Sequence, residues 1–503
     1  MKRIASLLLL ATMLVGILAA CGGGAATNTN TSGSTTNTNA NAGSETNANA
    51  NAGSETNANA NANAGSETNA NANANAGSET NANANANANA NANANSNANA
   101  NANANANSNS NANANANSNS NASGSTGGAL PDISGIDVGN IKIALQGPLS
   151  GPQAQFGTTA LNGAKLAIQQ LAPQMGFKNL ELVPFDDQAT ENVGASNANQ
   201  IAANQDILCV DGHINSGVAL AALPTYKSAN LVMISPANTN PRITDEFTGV
   251  AYRLVGRDDV QGVVAADFAS KNLQAKTAYV LNDQTAYGEG LATVFRDQAQ
   301  KDGINVVGFA GTQETSAFDA VLTPILAANP DVVFFGGIYD RAGPLLQQMR
   351  ERGIQAKFLG GDGLDSSDLA RLAGDAVVGA NYVTVSGPAS AYPEAAQFVK
   401  DYQQAYNAPA GYPAFQSYDA VKACMLGIAN AAKAANGRPT RQQVQEGMKQ
   451  VKSFDGVTGN VTFDEKGDRS PATYYIFEAK SADPAQWNTN EVVAQVKAEP
   501  PKK

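Results

Sequence analysis

Beyond residue 140 the chain alternates short, dense apolar runs with longer stretches in which apolar side chains fall on one helical face. The runs IKIALQG (141–147), LELVPFD (180–186), ILCVDG (207–212), LVMISP (231–236), TAYVLND (277–283), NVVGFAG (305–311), VVFFGG (332–337) and KFLGGDG (357–363) read as strands. Between the first two, residues 158–171 carry Ala160, Ala164, Ala167, Ile168 and Leu171 at helical spacing. A strand about every 25 to 30 residues with a helix between is the spacing of βαβ units, so the predicted class is α/β with parallel sheets. Ten or so such elements exceed one compact sheet, and two three-layer α/β/α lobes are the economical arrangement. In such sheets ligands gather at the carboxyl ends of strands, which directs attention to the polar residues there.

The first quarter of the chain is of another kind. Residues 22–128 use only Gly, Ala, Thr, Asn, Ser and Glu, with GSET followed by Asn-Ala alternation recurring from Gly43, Gly53, Gly65 and Gly77. Ala buries too little surface to form a core and Asn prefers turns, so the alternation predicts a disordered tether over 21–130 rather than a strand. Such a chain has a root-mean-square span of roughly 50 to 60 Å. Ahead of it, Lys2 and Arg3 precede an apolar run from Ile4 to Ala20, a charged n-region and an h-region too short to span a membrane comfortably. Leu18, Ala19 and Ala20 leading into Cys21 and Gly22 resemble the lipobox of bacterial lipoproteins. The resemblance implies a signal peptide over 1–20, cleavage before Cys21, and acylation of that thiol as a membrane anchor.

Charge narrows the partners. The net charge is −11, and 29 of the 31 Lys and Arg face 38 of the 42 Asp and Glu beyond residue 128 without a basic run. No nucleic acid or anionic lipid surface is expected as a partner of the folded part. Of three cysteines, Cys209 lies in the buried run ILCV and Cys424 on a predicted helix; at most one bridge could join them, and buried free thiols are the expectation. With His213 as the single histidine, mechanisms needing two are out. The turn GPLSGPQAQFG at 147–157 lacks the Lys-Ser/Thr ending of a phosphate loop, and GxSxG is absent. Nothing supports an enzyme, and no cofactor or metal is expected.

Two strand ends suit a carboxylate: HINSG with Ser216, and SPANT with Ala237 and Thr239, where helix-entering backbone N–H groups stand beside a hydroxyl. Asp362 in GGDG stands at another and suits an ammonium group. Each could equally be a helix cap.

In order along the chain, IKIALQGPLSGPQAQFG, FDDQAT, GHINSGVAL, MISPANTNPRIT, YRLVGRDDVQG, NDQTAYGEGLA, FFGGIYDRAG, FLGGDG and VTFDEKGD closely resemble the type I periplasmic binding proteins of branched-chain amino acid ABC transporters. The resemblance spans 140–480. It implies two hinged lobes, 140–256 plus 387–463 and 257–386 plus 464–497, closing on a small ligand, and docking of a monomer onto a permease with a separate ATPase. It implies that Ser216, the backbone of Ala237, and Thr239 hold a ligand carboxylate, that Asp362 receives the ammonium with Tyr287 beside it, and that Phe156 lines the cleft. Ile338 replaces an aromatic common in amino-acid binders, and Ala189 and Asn215 stand where some members place a disulfide. An aliphatic amino acid is favoured over an amide, urea or aromatic acid, and a sensory module of the same fold is the alternative reading.

Overall fold

The computed structural model describes residues 129–501; Cys21, the apolar leader and the repeats lie outside the described residues. In the first lobe the chain runs β1 (Ile141–Gly147), α1 (Ala154–Leu171), β2 (Leu180–Asp186), α2 (Glu191–Ala203), β3 (Ile207–Gly212), α3 (Ser216–Ser228), β4 (Val232–Ser235) and β5 (Ala251–Arg253). The five strands form one parallel sheet in the order β2-β1-β3-β4-β5, with Ile141 opposite Leu180 and Val210 opposite Met233. Both faces are covered, which is why β3 and β4 read as unbroken apolar runs instead of alternating ones. Ala144, Val210 and Met233 pack with Ile201 of α2 and Leu223 and Tyr226 of α3. Ile143, Leu145 and Ile234 join the layer on the other side.

The second lobe follows with α4 (Asp258–Lys271), β6 (Thr277–Asn282), α5 (Ala286–Lys301), β7 (Asn305–Gly311), α6 (Asp319–Ala328), β8 (Val332–Gly336), α7 (Tyr339–Glu351), β9 (Lys357–Gly360), α8 (Ser367–Ala373) and β10 (Asn381–Thr384). The chain then returns to the first lobe as α9 (Ala396–Tyr406), α10 (Ala414–Ala435) and α11 (Arg441–Met448), forms a ribbon of β11 (Ser453–Gly456) and β12 (Gly459–Thr462), and crosses again to β13 (Ala472–Glu478) and β14 (Glu491–Ala498). The second sheet has the order β14-β13-β10-β9-β8-β6-β7, parallel except that β13 is antiparallel to both its neighbours. That sheet is therefore mixed, not wholly parallel as the spacing predicts. A strand arriving from the first lobe, without a covering helix before it, enters from the opposite end.

All eight apolar runs are strands, and the first helix starts at Ala154, four residues earlier than its stripe predicts. The expected free thiols are overturned: Cys209 on β3 and Cys424 on α10 are joined in a disulfide, with Cα atoms 5.8 Å apart. Helix α10 packs directly on β3, and both cysteines are fully buried where the two elements meet. Neither strand nor helix periodicity carries that juxtaposition, because the partners are 215 residues apart.

Candidate functional site

The carboxyl ends of strands from both sheets open on one cleft of ≈ 710 Å³. After β1 comes Phe156, after β3 Ser216, after β4 Ala237, after β6 Tyr287 and after β9 Asp362, and all five line it. Thr239 does not: it is fully buried behind the wall, its carbonyl accepting the Asp258 N–H at 2.9 Å.

Asp362 is held on three sides. Its Oδ1 accepts from Tyr287 Oη at 2.8 Å and Gln261 Nε2 at 2.9 Å, and its Oδ2 accepts from Tyr412 Oη at 3.0 Å. Gln261 also accepts the Asp362 N–H at 2.9 Å, so one side chain clamps backbone and carboxylate together. The preceding glycine makes this possible, since a Cβ on Gly361 would stand 2.5 Å from Gln261 Oε1 and 2.6 Å from Tyr287 Oη. Burial lifts the Asp362 carboxyl above the ordinary range although all three donors pull it down. Burial, followed by the charges of Asp362 and Asp258, pushes the Tyr287 hydroxyl well up, so it remains a donor.

Asp258, the first residue of α4, is a member of this group that sequence reasoning missed. In GRDDVQG it reads as an acid favouring a helix N-terminus. Here it is fully buried, and burial and then the charge of Asp362 raise its carboxyl well above the ordinary range, against the pull of the Thr239 hydroxyl and of Arg253. Neither Asp258 nor Asp362 has an ion-pair partner among the described residues. Tyr412, which sits in a segment too loosely patterned to assign from sequence, is the second missed member; nearby Phe415 and Tyr418 instead pack against Phe398.

The opposite wall is the start of α3. Asn215 at its N-cap makes no side-chain cap bond, and Ser216, Gly217 and Val218 line the cleft, presenting the first N–H groups of a 13-residue helix. Ser216 Oγ accepts the Asn240 N–H at 3.5 Å. A buried acid, Asp362, on one wall and a helix N-terminus on the other suit a molecule with a cationic and an anionic end.

The lobes meet around this cleft. Phe156 stands edge-on to Tyr339 with ring centroids 4.9 Å apart, and Tyr339 Oη donates to the Pro152 carbonyl at 3.1 Å. Ser366 Oγ donates to Gln155 Oε1 at 3.1 Å, and Asn240 Nδ2 to the Ala286 carbonyl at 2.6 Å.

This geometry can be set against known proteins. The family model for periplasmic binding proteins matches residues 140–484. The chain belongs to that family. The periplasmic binding protein relatives include Leu/Ile/Val-binding protein homolog 2 of Brucella abortus, 31% identical over 363 residues that cover 72% of this chain and 96% of that protein. A leucine-, isoleucine-, valine-, threonine- and alanine-binding protein of Pseudomonas aeruginosa is 32% identical over 341 residues, 67% of this chain and 89% of the other. The crystal structure of a leucine binding protein, LivK, from Thermotoga maritima superposes with a TM-score of 0.64 at 26% identity, covering 71% of this chain and 98% of that one. The architecture is thus the type I periplasmic binding protein fold, two α/β lobes with predominantly parallel sheets.

Within this periplasmic binding protein His213 lies outside the cleft. It is fully buried, with Nδ1 3.3 Å from Asp187 Oδ2 and Nε2 3.2 Å from Tyr226 Oη, the satisfied core histidine that its place after a strand predicts. Among the described residues no cluster of His, Cys, Asp and Glu is arranged to hold a metal, and no helix is long and apolar enough to cross a membrane.

Proposed function

We propose that this chain is the extracellular substrate-binding lipoprotein of an ABC transporter, anchored through Cys21, that closes its lobes on a small amino acid and hands it unchanged to a permease served by a separate ATPase. The lobes are 140–256 plus 387–463 and 257–386 plus 464–497, and the protein acts as a monomer on a tether spanning 21–130. The observation that carries the reading is the buried acid Asp362, with Asp258 buried close by and neither having an ion-pair partner among the described residues, across the cleft from the start of α3. An ammonium group on the acids and a carboxylate at Ser216 and the adjacent N–H groups engage both lobes at once. Only a molecule with both ends rewards closure.

Phe156 and Tyr287 form the side walls and Ala237 the floor beside the acids. Thr239 acts from behind, through Asp258. The names of the relatives supply the starting class, small aliphatic amino acids and threonine. A thermal-shift screen with the twenty amino acids, amides, urea and small aromatic acids tests the reading. Stabilisation by at least one amino acid is expected, and none by any of the twenty overturns it.

A further inference from the structure

An amino acid held by its two ends turns its side chain toward the rest of the same cleft. Ile214, Val218 and Ile338 line it beside polar residues, and two of those leave an atom unpaired. On the first lobe Asn215 Oδ1, and on the second Arg341 Nε, are shut off from solvent and have no hydrogen-bond partner among the described residues. Both residues line the cleft.

Neither atom is free to turn away. Asn215 Nδ2 donates to Gln153 Oε1 at 2.8 Å, and Gln153 Nε2 in turn reaches Asp340 Oδ1 at 3.3 Å, which fixes which end of the Asn215 amide carries the oxygen. Arg341 Nη1 donates to the Asp283 carbonyl at 2.9 Å and lies 3.9 Å from the Asp283 carboxylate, which holds the guanidinium plane, while Nε is a buried donor without a partner among the described residues. One acceptor and one donor, on opposite lobes, therefore point to a group that is itself donor and acceptor.

Charge excludes the alternatives. An anionic side chain would enter past Glu191, whose carboxylate lies against Gly217 at the cleft, and beside Asp283 and Asp340. A cationic one would meet Arg341. A purely aliphatic one would leave both atoms unpaired and forgo the hydrogen bonds that a polar side chain supplies there.

We propose that the ligand is a small amino acid with a neutral side chain carrying a hydroxyl or a carboxamide, read by Asn215 and Arg341; this deepens, and rests on, the amino-acid reading above. Isosteric pairs test it by calorimetry on the unmodified protein: threonine against valine for the hydroxyl, asparagine against leucine for the carboxamide. At least one polar member is expected to bind about tenfold or more tightly than its apolar twin. Asn215→Leu and Arg341→Met should each shrink that ratio by roughly tenfold. Valine matching threonine together with leucine matching asparagine overturns the proposal while leaving the amino-acid reading intact, and so does tightest binding of lysine or glutamate. Binding of none of the twenty amino acids overturns the amino-acid reading itself.

Discussion

Arg257 and Asp258 are neighbours in sequence and belong to two buried acid centres of opposite character. In the first, Asp468 is fully paired: Arg253 Nε lies 2.6 Å from its Oδ1, Arg257 Nη1 2.7 Å from its Oδ2, and Thr244 donates to Oδ1 at 2.7 Å. Arg253 approaches side-on, its remaining nitrogens taken by the carbonyls of Asn238 and Asn240 and by Thr244. This centre ties the loop before β13 to β5 and to the start of α4, where the chain passes between lobes. In the second centre, Asp258 and Asp362 are as deeply buried, yet Asp362 receives only tyrosine hydroxyls and an amide as donors and no cation. Buried carboxylates are tolerable when a cation accompanies them. The hinge centre carries its cations permanently; under the function proposed above, the cation of the cleft centre arrives with the ligand.

Removing the acid should therefore have opposite consequences in the two places. Asp468→Ala leaves two buried arginines short of a partner, and a loss of about 3 kcal/mol in stability is expected, read as a lower thermal midpoint with or without ligand. Asp362→Ala removes a carboxylate whose ionisation is opposed by burial, so the ligand-free midpoint should hold while calorimetry registers a loss of amino-acid affinity of about a hundredfold. Unchanged affinity would erase the distinction between the centres.

Acidity separates them more gently. The carboxyls of Asp258 and Asp362 are raised from an ordinary value of 3.8, so the folded ligand-free protein holds more protons than the unfolded chain above that value. Its stability contribution from these acids is greatest at low pH and declines as pH rises through the window. An ammonium ligand favours the ionised forms, so binding strengthens in the same direction. The difference between liganded and ligand-free midpoints should widen as pH rises above the ordinary value of 3.8. A difference that stays constant would mean that these acids do not meet the ammonium.

Much of this was legible beforehand, and the parts that were not share a cause. Six of the eight apolar runs are central strands, where burial on both faces favours apolar residues, and the other two, β2 and β7, are partly exposed edge strands. β5 is three residues long and β14 is half exposed, so neither leaves a clear pattern. Ser216, Ala237 and Asp362 are legible at strand ends, Tyr287 and Phe156 through the family resemblance, and all five line one cleft. Asp258 was masked by its respectability as a helix-initial acid. Nothing in the sequence singles out Arg341, and Asn215 stands out only as a position where some family members place a disulfide; what their neighbours leave unbonded depends on packing alone.

The bond between Cys209 and Cys424 has a consequence for how the molecule comes apart. It closes a covalent ring that begins on β3, runs out through five strands of the second lobe, and returns on α10. A protease that nicks the second lobe once between β6 and β10 therefore releases no fragment: the two pieces migrate together until a reductant is added. The first lobe would survive such a cut with β3 still fastened to its helix, since the ring opens on the far side of the hinge and not at the clasp.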